Sequence, residues 1–95
     1  MIKYLENNFE QEIVDKKILV DFYADWCGPC RMQSEVLNNF NKIDVLKVNV
    51  DKHGEVAQKY GIMSIPSLLL FENGKLVKSH VGFMNISELE EFIEK

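Results

Sequence analysis

The sequence predicts an α/β protein: a central mixed five-stranded sheet, in the order β-α-β-α-β-α-β-β-α, flanked by helices on both faces. Three observations lead there. The run Ile18-Leu19-Val20-Asp21-Phe22-Tyr23 is apolar on both faces except at Asp21, so it reads as a central strand covered from both sides. Segments of helical period stand between strand-like runs in the first part of the chain, which makes strands parallel through crossovers. Asn73-Gly74 lies between two further apolar runs, a strong hairpin signal that adds antiparallel strands.

The elements follow in order. Ile2 to Leu5 forms a short edge strand, and Asn7 or Asn8 caps a helix with Phe9, Ile13 and Val14 at helical spacing. Asp15-Lys16-Lys17 is a polar turn before the central strand. A helix opens at Cys27, with Met32, Val36, Leu37 and Phe40 as its apolar stripe and Gln33, Ser34, Glu35, Asn38 and Asn39 opposite. Val45 to Val50 is the next strand, and Glu55 to Tyr60 is a short helix stopped by Gly61. His53, in the loop between them, reads as solvated. Ser67 to Glu72 and Leu76 to Val81 make the hairpin, with His80 pointing outward. Asn85 and Glu88 have the spacing of a capping box for the last helix, whose buried face is Ile86, Leu89, Phe92 and Ile93. Asn85-Ile86-Ser87 also matches a glycosylation sequon, but the cap explains it without a secretory leader.

Composition bounds the function. A chain of 95 residues is one domain, residues 1–95. Its formal net charge of -4 argues against a nucleic-acid partner, because phosphate binding needs a basic face. No apolar run approaches the ~20 residues that span a bilayer, so no membrane partner is expected. The start, Met1 to Glu6, lacks the apolar core of a signal peptide, and the expected location is the cytoplasm. In that reducing compartment a cysteine pair is more often catalytic than structural.

Both cysteines of the chain lie in Trp26-Cys27-Gly28-Pro29-Cys30. Two thiols so spaced close into a small disulfide ring and open again. At a helix start, the free N–H groups and the dipole favour a thiolate, the form that attacks disulfides. The motif therefore reads as a dithiol redox centre, with Cys27 as nucleophile and Cys30, one turn on and more buried, as the residue that resolves the mixed disulfide. A zinc site needs four ligands; there is no second CxxC, and His53 and His80 are isolated, so no metal is expected. Asp51-Lys52-His53-Gly54 lacks the spacing of a calcium loop. Asp21 is a carboxylate inside a buried strand, which is costly unless it is protonated or paired.

Trp26-Cys27-Gly28-Pro29-Cys30 resembles the active-site motif of the thioredoxin family. The resemblance extends through Val20-Asp21-Phe22, Lys47, Asp51, Tyr60-Gly61-Ile62, Ile65-Pro66-Ser67, Phe71, Asn73-Gly74 and Val81-Gly82, nearly the whole chain. It implies a thioredoxin fold and a general protein-disulfide reductase and electron carrier. No cofactor is bound; electrons come from NADPH through a flavin-dependent thioredoxin reductase, or from a ferredoxin-dependent reductase. The implied partners are that reductase and disulfide-containing clients, met by a monomer. The resemblance also implies that Asp21 accepts a proton from Cys30 through water, tuned by Lys47; a structural Asp21–Lys47 ion pair is the other reading. It makes the bond before Pro66 cis and faces it toward the cysteines, where base rates alone favour trans. Trp26, Gly28, Pro29, Ile65, Gly82 and Phe83 then form a shallow apolar docking surface; core packing is the other reading for Trp26 and Phe83.

Three positions depart from the family's usual pattern. Glu35 replaces a helix-interior proline, which predicts a straighter helix. Tyr23 stands where tryptophan or another aromatic is usual, and Met63-Ser64 replaces an Arg-Gly or similar pair at the groove rim. The alternative function is a redox-independent binding subunit of a larger assembly. A third is a dimer bridged by metal through cysteines of two chains.

Overall fold

Among the residues described by the computed structural model, 1–94, five strands and four helices follow the predicted order. They are β1 (Ile2–Tyr4), α1 (Phe9–Ile13), β2 (Lys17–Tyr23), α2 (Gly28–Asn38), β3 (Asp44–Asn49), α3 (Gly54–Lys59), β4 (Ser67–Glu72), β5 (Lys75–Val81) and α4 (Ile86–Glu94). The spatial order is β1-β3-β2-β4-β5, which puts the apolar run of β2 in the middle of the sheet. β3 lies parallel to β1 and β2, while β4 is antiparallel to both β2 and β5. Asn73 and Gly74 make the tight turn of the hairpin with φ of 52° and 84°, the left-handed conformation these two residues adopt most readily.

Side chains alternate across β2, and two apolar layers result. Ile18, Val20 and Phe22 pack with Phe9 and Ile13 of α1 and Ala57 of α3. Leu19 faces the other way, toward Leu37 of α2 and Leu89 and Ile93 of α4. By the same alternation Asp21 shares the face of Leu19.

Several expectations are corrected. Asn8, and not Asn7, caps α1, its Oδ1 accepting the Gln11 N–H at 3.1 Å. Val14 is not on the buried face: it follows the helix in extended conformation and is half exposed, because the chain turns at Asp15 with φ 64°. Met32 was expected inside and Gln33 outside, yet Met32 is 58 % exposed and Gln33 is wholly buried. The phase of α2 is set by Cys30, which brings the residues three and seven positions on, Gln33 and Leu37, to the inner face. His53 is half-buried, its Nε2 3.0 Å from the Leu5 carbonyl oxygen, and so is not a free loop residue. His80 is half-buried against Phe92 of α4, ring centroids 6.3 Å apart, because its strand position pairs with Leu68 on the inner layer. Glu35 is exposed, and α2 runs from Gly28 to Asn38 without a break.

Candidate redox site

β2 ends at Tyr23, and the chain turns through Ala24-Asp25-Trp26 into α2. Cys27 is the N-cap: its backbone is extended, and its Sγ accepts the Cys30 N–H at 3.2 Å. Gly28 and Pro29 fill the first helical turn, where the missing N–H of proline costs nothing. Cys27 and Cys30 form a disulfide across a Cα–Cα distance of 5.2 Å. The expected contrast in burial is small, since the two residues are 5 % and 2 % exposed. Cys27 is covered by Ala24 and Ile65, and its Sγ lies 3.8 Å from the Ile65 carbonyl oxygen.

The rim of the site is open. Trp26 is 70 % exposed, which removes the core reading, and its Nε1 donates to Asp51 Oδ2 at 2.9 Å. The Ile65–Pro66 peptide is cis. Gly82, at φ 103°, donates its N–H to the Pro66 carbonyl at 2.8 Å, and the next residue, Phe83, is partly exposed. A groove of about 180 Å³ runs between Trp26, Val50, Ile62 and Ile65. A second, of about 340 Å³, lies between Met32, Val36, Phe83 and Ile86.

Behind the disulfide lies a polar layer. Asp21 is wholly buried in β2, and its register partner in β3 is Lys47. Lys47 Nζ stands 3.4 Å from Asp21 Oδ2, yet neither carboxylate oxygen receives a hydrogen bond. Burial pushes the Asp21 carboxyl up to about 6, against the pull of the Lys47 charge. The ammonium has other partners: it donates to Ser34 Oγ and lies 4.6 Å from the Tyr23 ring centroid. Tyr23 is itself held above its ordinary range, by burial first and then by the nearby Tyr4 and Asp25. A cavity of about 270 Å³ opens beside this layer, lined by Cys30, Ser34, Lys47, Tyr4, Tyr23 and Arg31.

The predicted residues therefore gather around one end of the sheet's strands, with Asp21 and Lys47 set behind within β2 and β3. The ends of β2 and β5 bring Cys27 and Gly82 there, and the start of β4 brings Pro66. Sequence reasoning missed three contributors. Gln33 donates to the Met84 carbonyl at 3.0 Å and accepts the Met84 N–H at 2.7 Å, tying α2 to the segment that carries Phe83. Asp51 fixes the Trp26 indole. Ser34 reaches Lys47, and its signal was its place one helical turn past Cys30. Among the described residues no group of three or more His, Cys, Asp or Glu side chains converges as a metal site.

A disulfide between cysteines three apart at the start of a helix, on a mixed sheet with a cis proline beside it, defines a dithiol–disulfide oxidoreductase. The thioredoxin family model matches residues 1–95. A thioredoxin of Alicyclobacillus acidocaldarius is 48 % identical over 89 residues, covering 87 % of this chain and 85 % of the relative. A thioredoxin of Bacillus subtilis is 38 % identical over 100 residues, covering 100 % and 96 %. Among solved structures, a mutant thioredoxin from Halobacterium salinarum superposes with a TM-score of 0.87 at 34 % identity, covering 98 % of this chain and 88 % of that one. The chain belongs to the thioredoxin family, and its function is thioredoxin-type redox exchange at Cys27 and Cys30.

Proposed function

We propose that residues 1–95 act as one domain that reduces client disulfides, with Cys27 attacking and Cys30 resolving. The observation that carries this is the position of Cys27 Sγ. It receives the Cys30 N–H at the helix start and lies beside the Ile65 carbonyl, a free backbone edge for an extended client segment. In the dithiol form, Cys27 thiolate attacks one client sulfur, and the other client sulfur leaves as thiolate. Cys30 then loses its proton and attacks Cys27 Sγ. The second client sulfur leaves, and Cys27–Cys30 is oxidised. Two electrons and two protons have passed to the client.

Asp21 is the proton acceptor for Cys30; its ion-pair partner Lys47, 3.4 Å away, lines the same cavity as Cys30 and tunes Asp21. Pro66 presents the Ile65 backbone. Trp26, Gly28, Pro29, Ile65, Gly82 and Phe83 are the docking surface. The chain carries no bound cofactor; NADPH through a flavin-dependent thioredoxin reductase, or a ferredoxin-dependent reductase, restores the dithiol. It works as a cytoplasmic monomer with clients and reductase as partners. No helix among the described residues is long and apolar enough to cross a membrane.

Insulin-disulfide reduction, with and without a thioredoxin reductase, tests the reading. Cys27→Ser abolishes reduction. Cys30→Ser accumulates client proteins as mixed disulfides on Cys27, seen by non-reducing electrophoresis. Normal turnover by Cys30→Ser would overturn the division of labour.

A further inference from the structure

Among the described residues the Lys47 ammonium is the cation paired with Asp21, 3.4 Å from its Oδ2, and it is shared with other partners. It has three donors and is only 3 % exposed. One donor goes to Ser34 Oγ, and the charge faces the rings of Tyr23 at 4.6 Å and Tyr4 at 5.8 Å. The Asp21 oxygens, buried and 3.4 Å away at the nearest, receive no hydrogen bond. Ser34 stands four residues after Cys30, on the same face of α2. It thus links the ammonium on β3 to the helix that carries the resolving thiol.

We propose that Ser34 is a positioning residue: it holds the Lys47 ammonium off the Asp21 carboxylate and so keeps Asp21 able to take the proton of Cys30. This rests on the role proposed for Asp21. The sign follows from the partners. Without Oγ, a buried ammonium has lost an acceptor, and the nearest replacement is Asp21 Oδ2. Closing that gap makes a charge-assisted hydrogen bond, which favours the carboxylate and weakens it as a base.

The other groups around Asp21 leave Lys47 as the lever. On β4 its register partner is Leu68, and beyond that row His80 of β5 packs on Phe92. α4 turns Leu89 and Ile93 to this layer. α2 contributes Cys30 and Ser34. Tyr23 follows on the same strand, Tyr4 lies beyond Lys47, and Asp25 and Arg31 stand at the cavity wall, where Arg31 donates to the Asp25 carbonyl at 3.0 Å.

The test is the titration of the Asp21 side-chain carboxyl, followed by its carbon-13 shift in the dithiol form, alongside the pH profile of disulfide reduction. Ser34→Ala lowers the midpoint by roughly one pH unit and moves the acid limb of the rate with it. Ser34→Thr, which keeps the hydroxyl, retains the wild-type midpoint. An unmoved midpoint in Ser34→Ala, or an equal fall in Ser34→Thr, overturns the proposal. Asp21→Asn separates the two levels. If it leaves the acid limb in place, the role of Asp21 fails and this proposal with it. If it removes the limb while Ser34→Ala leaves the midpoint unmoved, the assignment of Ser34 alone fails.

Discussion

Asp21 shows how one residue trades stability for chemistry. Its carboxyl is raised from an ordinary value of 3.8 to about 6 because burial penalises the charge more than Lys47 relieves it. The unfolded chain releases this proton more readily. The contribution to stability is therefore intact below about pH 4 and is lost as pH rises through about 6. Asparagine keeps the shape without ionising. Asp21→Asn should be more stable than the wild type at neutral pH, by roughly 3 kcal/mol, with the gain vanishing in acid. Its reduction rate should fall, since Cys30 loses its proton acceptor. Denaturant midpoints at acid and neutral pH, beside reductase-coupled rates, check both halves. A variant less stable at neutral pH that still reduces at the wild-type rate would leave Asp21 as the structural half of an ion pair. That Asp21 was unusual was legible in the sequence, because a lone charge broke an apolar run. That Lys47 would divide itself between Asp21, Ser34 and two tyrosines was not, since those partners come from three separate elements, β1, β2 and α2.

At the scale of an element, α2 marks the limit of periodicity. Its capping cysteine and its inward Leu37 were legible. Met32 and Gln33 were exchanged, because an apolar-stripe count prefers methionine inside and carries no information about a backbone that needs a side-chain partner. The Met84 N–H and C=O are such a backbone: the chain there has left β5 and not yet entered α4. Gln33 satisfies both groups with one amide. Gln33→Leu keeps the bulk but strands two buried polar groups, at a cost of roughly 2 kcal/mol read from the denaturant midpoint. Because Met84 follows Phe83, the same change loosens one wall of the docking surface, and KM for a protein client should rise more than kcat falls. Unchanged stability would mean that Met84 finds other partners. The start of α4 was easier to read, since its cap is local: Asn85 and Glu88 exchange hydrogen bonds at 2.8 and 2.9 Å, as their spacing implies.

The whole molecule must survive the cycling of its own disulfide. The two large apolar clusters, one on each face of the sheet, contain neither cysteine. Cys27 and Cys30 belong to a small third cluster with Ala24 beyond the end of β2. Reduction thus releases a ring between residues only three apart and leaves both layers packed. A ring that short constrains the unfolded chain little, by about 2 kcal/mol on the loop-entropy account. For a domain of this size that corresponds to a melting temperature lower by roughly 10 °C in the dithiol form. Both forms should melt in one cooperative step, and the dithiol should show the same far-ultraviolet circular dichroism as the disulfide at room temperature. The disulfide in turn is stabilised by the fold to the same extent that it stabilises the fold, so a small difference keeps exchange with clients reversible. Calorimetry of the two forms measures that difference. A dithiol form that is unfolded at room temperature would show that the core depends on the bond it has to break, and that redox site and core are not separate.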